Sequence, residues 1–219
     1  SAACFSNPMA VVRDGTHLLY PLCGPGDPLI LLNLSTNSKI ELKSYLGLNE
    51  GIAIGDLSPD GQKIVVSYGD EGIYIIDLVD LTYTILASFP SSENFYWGPT
   101  WSPKGDLIAF TGTHYVNQGT VKNRPAVYLI PSDGSLSQPL LRVYSGNPNN
   151  SPNFSISDWA PDGSSLLAGH GGNMIEIEIE GYLNQTSVYT NKNQSGVGVT
   201  ALAVPHSARL GRSYYSSDG

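Results

Sequence analysis

A ten-residue motif recurs along the chain, and its spacing restricts the possible folds more than any other feature does. The weakest copies begin near Val12 and Ala203. Asp60 and Lys104, which occupy equivalent positions, lie 44 residues apart. One four-stranded blade of a β-propeller has this length, so each copy predicts one blade. The three clearest copies are Leu57–Val66, Trp101–Phe110 and Trp159–Ala168.

The residues around the motif predict strands and tight turns. Each clear copy has a proline, then Asp or Lys, then glycine, which together favour a short turn between two strands. An apolar strand follows the turn, then a loop and a strand of alternating residues, most clearly at Met174–Glu180, where isoleucine alternates with glutamate. Lys104 to Asp162 is 58 residues, which is one blade plus an insertion of about 14. The predicted fold class is all-β: a β-propeller of four-stranded antiparallel blades, about five in number, or part of a larger propeller.

We predict a single propeller domain over residues 1–219. The last unit has candidate strands at Val197–Val204 and Arg212–Ser216 and lacks two more, so we expect it to be incomplete. Either the ring closes irregularly with five blades, or the chain is part of a longer protein. Thr186–Thr190 is the predicted closing strand of the fourth unit. The approximate blades are 9–46, 52–90, 98–145, 154–191 and 197–219.

The repeat resembles that of a known family. The Trp-Ser-Pro-x-Gly run at Trp101, the apolar strand after it and the later tyrosine-containing strand are similar to the TolB-like, WD-like propeller repeat. The resemblance covers residues 9 to about 216. It implies an extracytoplasmic protein (periplasmic, cell-surface or secreted) that serves as a protein-binding platform or as a propeller attached to a hydrolase. The Trp-Asp dipeptide of WD-type propellers is absent, which disfavours that relative.

Composition argues against several partner classes. The net charge is −8, and the 11 Lys and Arg residues do not cluster. A protein that binds phosphates needs a basic patch, so we predict no nucleic-acid partner. No apolar run approaches the roughly 20 residues of a membrane helix, so we predict no membrane insertion. The expected partner is a protein or peptide, and the oligomeric state stays open.

Motifs for catalysis or metal binding are not evident. None of the four histidines has a second His or Cys at ligand spacing, so we predict no metal and no cofactor. No Gly-x-Ser-x-Gly elbow occurs. Asp60 and Asp162 recur with the repeat, which favours a turn-forming role over catalysis. Asp56 and Asp158 precede two copies of the motif and are predicted to be structural. We therefore predict that the chain is not an enzyme.

Long connections are predicted at one end of the propeller only, which we call the long-loop end. In an antiparallel blade, the Pro-x-Gly turns lie at the opposite end. Binding residues concentrate on loops that a rigid framework holds, and aromatic residues are typical of recognition patches. The alternative is that these side chains pack the loops and cap the core. The predicted long loops are Cys23–Pro28, Ser88–Gly98, Gly112–Arg124 and Tyr144–Asn153. The candidate binding residues are Tyr96, Trp97, His114, Tyr115, Arg124, Tyr144 and Phe154.

Two cysteines, Cys4 and Cys23, are both placed by this topology at the long-loop end, beside neighbouring strands. A disulfide between them is geometrically reasonable in an oxidising compartment. The alternatives are two unpaired thiols, or a lipid anchor on Cys4. The latter is disfavoured because Ser1 stands where such signals usually have leucine.

The functional hypothesis is a non-enzymatic β-propeller that binds a protein or peptide through its long-loop end. The alternatives are an accessory or substrate-gating propeller domain of a peptidase or other hydrolase, and a carbohydrate-binding propeller.

Overall fold

The chain is all-β with small, mainly antiparallel sheets and almost no helix. One short helix, α1 (Leu42–Tyr45), occurs in the described residues. No helix among them is long and apolar enough to cross a membrane. The computed structural model describes residues 15–21, 29–48, 52–68, 71–88, 93–116, 122–136, 141–145, 154–170, 173–179, 188–190 and 199–202.

The first two sheets follow chain order. In the first, three antiparallel strands pair in the order β1-β2-β3; they are β1 (His17–Pro21), β2 (Leu29–Asn33) and β3 (Lys39–Glu41). In the second, four strands pair in the order β4-β5-β6-β7; they are β4 (Ile52–Leu57), β5 (Lys63–Tyr68), β6 (Gly72–Asp77) and β7 (Thr82–Ser88). This second sheet is the four-stranded antiparallel unit that the repeat predicts.

The third and fourth sheets begin in the same way. The third contains β8 (Glu93–Trp101), β9 (Leu107–Val116), β10 (Lys122–Pro131) and β11 (Leu141–Ser145), paired in chain order. The fourth contains β12 (Phe154–Trp159), β13 (Ser165–His170) and β14 (Asn173–Glu178), also in chain order. Each of the three clear motif copies therefore spans the first two strands of one sheet.

The last two strands depart from the sequence prediction. We expected the segment at β15 (Val188–Thr190) to close the fourth sheet, but it pairs in parallel with β11 of the third sheet. The strand β16 (Val199–Leu202), which we expected to open a fifth unit, pairs with β14 and completes the fourth sheet. The outer edge of β14 can form backbone hydrogen bonds with any extended segment that reaches it. The local sequence does not specify which segment does so, and this is the physical reason for the difference.

Among the described residues, three apolar cores lie between consecutive sheets. The first joins residues of the first and second sheets, such as Leu31 and Ile64. The second joins the second and third sheets and includes Val65 and Phe110. The third joins the third and fourth sheets and includes Ala109. Neighbouring residues of one strand thus enter different cores, because successive side chains point to opposite faces. Sheets buried on both faces explain why strands such as β5 have nearly continuous apolar sequences.

The Pro-x-Gly turns form as predicted. At the second sheet, Gly61 has φ 67°, and its N–H donates to the Ser58 carbonyl at 2.8 Å. The Asp60 carboxylate accepts hydrogen bonds from the Ser58 hydroxyl at 2.6 Å and the Gln62 N–H at 3.0 Å. These bonds hold the pKa of Asp60 below its usual range. Asp162 accepts from both the N–H and the hydroxyl of Ser164, so both recurring aspartates stabilise turns.

A row of aromatic rings crosses the second sheet. Tyr74 lies between Tyr68 and Tyr83, with ring centroids 4.8 Å and 5.7 Å away. Its hydroxyl donates to the Glu71 carboxylate at 3.1 Å. Burial of the ring, together with this acceptor, raises the pKa of Tyr74 to about 12.

The raised pKa of Tyr74 predicts a loss of stability at alkaline pH. An unfolded tyrosine ionises near pH 10, about two units below the folded value. The folded chain therefore keeps a proton that the unfolded chain releases, and the contribution of Tyr74 is intact below pH 10 and lost as the pH rises toward 12. We expect the urea midpoint of the native protein to fall relative to that of Tyr74→Phe between pH 10 and 11. Parallel curves for the two proteins would contradict this.

Candidate binding surface

The third sheet is extended at the long-loop end. β9 and β10 have ten residues each, whereas the strands of the second sheet have six or seven. Their register continues to the pair Val116 and Lys122. The predicted loops Ser88–Gly98 and Gly112–Arg124 are therefore wrong over most of their length, since β8 begins at Glu93 and the β9–β10 hairpin occupies most of the second segment.

The backbone register brings several candidate positions together. Arg124 of β10 lies directly opposite His114 of β9, and Glu93 of β8 lies opposite His114 on its other side. Directly opposite residues of antiparallel strands are near neighbours. One row across three strands therefore contains an acid, an imidazole and a guanidinium. Sequence reasoning missed Glu93, because nothing in the sequence reveals the register of β8.

The other candidate positions of the third sheet divide between its two faces: by register, Tyr144 shares the face of this row, whereas Tyr115 and Trp97 belong to the other face. Tyr115 lies opposite Asn123, Trp97 lies opposite Thr111, and Tyr144 lies opposite Ala126. Tyr96 precedes Trp97 in a stretch of β8 where the register shifts. Six of the seven candidate residues thus belong to strands of one sheet. They sit on strands, where a sequence-based argument had expected loops.

Phe154 is different from the other candidates. It begins β12 of the fourth sheet, is only 5% exposed, and belongs to the core between the third and fourth sheets. This position supports the alternative that the Phe154 ring is a core side chain.

The third sheet is fixed to the second by Asp56. The carboxylate of Asp56 in β4 accepts hydrogen bonds from the Thr100 hydroxyl at 2.9 Å and the Trp101 N–H at 3.2 Å, both in β8. Its other oxygen accepts from the Leu57 N–H at 2.8 Å. Asp56 is thus structural, as predicted, and it links two sheets. Thr100 occupies the position in the next repeat that is equivalent to Asp56, so the spacing of the repeat contains a signal for this pair.

Removal of the Asp56 carboxylate is expected to weaken this link. Asp56→Ala leaves the Thr100 hydroxyl and the Trp101 N–H without their acceptor, which costs roughly 1.5–3 kcal/mol. The free energy of unfolding, measured by urea titration, should fall by that amount. Asp133→Ala is the control, because the bond that Asp133 accepts from the Ser135 N–H lies within its own exposed turn. Equal losses for the two variants would contradict the proposed link.

The described residues contain no group of three His, Cys, Asp or Glu side chains placed as metal ligands. Both ring nitrogens of His17 contact neighbours, the Thr16 hydroxyl at 2.7 Å and the Asn33 amide at 3.1 Å. His170 ends β13. The predicted Cys4–Cys23 disulfide falls outside the described residues, as does His206.

Comparisons with known proteins show the fold. No family model matches the chain, and no curated protein matches it. Among solved structures it is similar to a protein assigned to TolB from Agrobacterium tumefaciens, with 14% identity and a TM-score of 0.53 over 82% of this chain and 68% of that chain. It is also similar to an oligogalacturonate lyase in complex with manganese, with 15% identity and a TM-score of 0.50 over 79% of this chain.

A third similar structure is an acylaminoacyl peptidase from Pyrococcus horikoshii, with 13% identity and a TM-score of 0.52 over 75% of this chain. The chain spans 62% of the length of the lyase and 30% of that of the peptidase. All three similar proteins are propellers or contain one. At these identities the likeness concerns the fold and not the activity.

Proposed function

We propose that the chain is a non-enzymatic, TolB-like β-propeller that binds a protein or peptide at the long-loop end of its third sheet. The observation that carries this proposal is the extension of β8, β9 and β10 beyond the lengths of their counterparts. The extension supplies residues at the long-loop end that have no counterpart in the second sheet, and we assign them to the partner.

Residue chemistry at this surface supports recognition of a protein. The six candidate positions, which are distributed over both faces of this end of the sheet, include three tyrosines, one tryptophan and one arginine, the residue types that dominate the binding energy of interfaces; the sixth is a histidine. Because they lie on paired strands, little conformational freedom is lost when a partner binds, and this favours affinity. The register also places Glu93 opposite His114, so the proposed surface includes an acidic residue.

The closed ring of about five blades belongs to the same proposal. The first sheet is apolar on both faces: Leu31 enters the core with the second sheet, while Ile30, its neighbour in β2, is buried outside that core. Leu18 and Leu32 are paired with each other and half-buried. A sheet with two apolar faces needs a neighbour on each side, as every blade of a closed propeller has.

The test is capture of a partner from extracts by the immobilised chain, followed by measurement of the affinity of the purified pair. We expect Trp97→Ala with Tyr115→Ala to weaken binding by at least tenfold, since each residue is a candidate hot spot worth more than 1 kcal/mol. The matched control is Leu34→Ala with Leu136→Ala, two exposed residues beside turns at the opposite end. If the two double variants bind equally well, the proposed surface is wrong.

An accessory role in a hydrolase is the second candidate. The likeness to the peptidase, of which this chain spans 30%, favours it. In that case the native polypeptide in its source cells would be much larger than the 23.4 kDa of this chain. An immunoblot with an antiserum to the propeller distinguishes the two, because a band near 23.4 kDa contradicts the accessory role.

We place the protein outside the cytoplasm, on the strength of its resemblance to the TolB-like repeat. A disulfide between Cys4 and Cys23 in protein isolated from its source, detected by mass spectrometry without reduction, would support this location. Two cysteines that react fully with an alkylating reagent in that native protein would argue against it.

A further inference from the structure

The outer strand of the second sheet is an open edge. β7 has seven residues and no charged side chain. It pairs with β6 on one side, and no other described strand pairs with it. Its first four residues are exposed, including Tyr83 at 42% and Ile85 at 52%. A long, uncharged edge of this kind offers unpaired N–H and C=O groups to another strand.

The outermost strands that follow in the other three sheets are shorter than β7: β3 and β15 have three residues each, and β16 has four. β3 has only three residues and carries Lys39 and Glu41 at its ends. β11 is covered by β15, and β14 is covered by β16. Two of these sheets thus accept an extra strand from a distant segment of the chain. Among these outermost strands β7 is the longest, and it carries no charged side chain.

We propose that β7 pairs in antiparallel orientation with β7 of a second copy of this chain, around a two-fold axis at Thr84. The two second sheets then form one continuous sheet. In this register Thr84 faces Thr84 of the partner subunit, and Tyr83 faces Ile85 of the partner subunit. Threonine pairs and aromatic pairs with β-branched residues are both favourable across strands. The contact uses the same residues on both copies and therefore closes at a dimer.

Charge favours this edge as the contact between two copies. Each copy has a net charge of −8, so most of its surface repels a second copy. Asp77 and Asp80 precede the beginning of β7. Antiparallel pairing places that acidic end beside the uncharged end of the other β7, at Ser88. Tyr83 is also held against the buried Tyr74 ring, so it is already ordered before association.

The first test is the mass of the chain in solution, measured by sedimentation over a wide range of concentration. We expect the weight-average mass to rise from 23.4 kDa toward twice that value. Ile85→Lys should stay at the monomer mass, while Leu34→Lys, at a residue 55% exposed, should behave as the native protein does. Thr84→Lys, which places like charges opposite each other, serves if Ile85→Lys is misfolded by circular dichroism.

The second test fixes the register by cross-linking, in protein with Cys4→Ser and Cys23→Ser. Opposite Cα atoms of antiparallel strands lie about 4.5–5.5 Å apart, within reach of a disulfide. Thr84→Cys should therefore form a covalent dimer on mild oxidation. In Thr82→Cys the two cysteines would be about 13 Å apart along the strands, and no dimer should form. A monomer at the highest soluble concentration, a dimer that survives Ile85→Lys, or cross-linking at position 82 in place of 84 would overturn the proposal.

Discussion

Replacement of Gly55 by alanine is expected to destabilise the fold by about 3 kcal/mol or more, at the upper end of the cost of overpacking. A Cβ atom at Gly55 would overlap the carbonyl oxygen of Pro99 and would lie 2.6 Å from that of Val65. Both neighbours are backbone atoms, which cannot move aside as a flexible side chain can. The alanine variant therefore loses stability because it disturbs the packing of β4 against β8, where the second and third sheets meet.

Gly134→Ala is the matched control for this variant. Gly134 has φ 72° and nothing within 4 Å of an added Cβ. The stability lost in Gly134→Ala therefore reflects backbone conformation alone and is about 1 kcal/mol. The free energies of unfolding of both variants can be measured by urea titration. Similar losses at the two positions would show that β4 and β8 do not approach each other closely.

Phe110→Ala is expected to cost about 3–5 kcal/mol, the range for removal of a buried aromatic ring. The Phe110 side chain is fully buried in the core between the second and third sheets. It stacks on Tyr128 with the ring centroids 5.3 Å apart and the planes at 10°. The alanine variant loses this stacking and leaves a cavity that the rigid sheets on either side cannot fill.

Phe110→Leu, which keeps part of the volume, should lose less than half as much as Phe110→Ala. Because the core joins two sheets, both sheets should unfold together in each variant, with the same denaturant midpoint by tryptophan fluorescence and by circular dichroism. Transitions that separate would contradict a core shared between the second and third sheets.

Local patterns in the sequence predicted the strands and turns of the central sheets. Lys63–Tyr68 is an apolar run directly after a Pro-x-Gly turn, Met174–Glu178 is an alternating run one strand further on from such a turn, and both lie in strands. In these segments the hydrophobic periodicity and the turn residues favour the same structure, and the apolar cores between the sheets stabilise it.

The same patterns could not predict what depends on distant segments. Two mostly polar segments, 112–116 and 122–124, resemble loops in sequence. They are nevertheless strands, and they pair with each other. The short segments β15 and β16 have no local signal for their partners. For the candidate surface, the sequence identified the aromatic and charged residues, whereas the row of Glu93, His114 and Arg124 required the register.

The most direct test of the proposed function is hydrogen–deuterium exchange of the chain with and without its captured partner. We predict that the partner slows exchange of the backbone amides in residues 93–97, 112–116 and 122–125, at the long-loop end of the third sheet. Exchange in the turns at 58–62 and 102–106, at the opposite end, should be unchanged. Protection confined to those turns, with none in the third-sheet segments, would contradict the account.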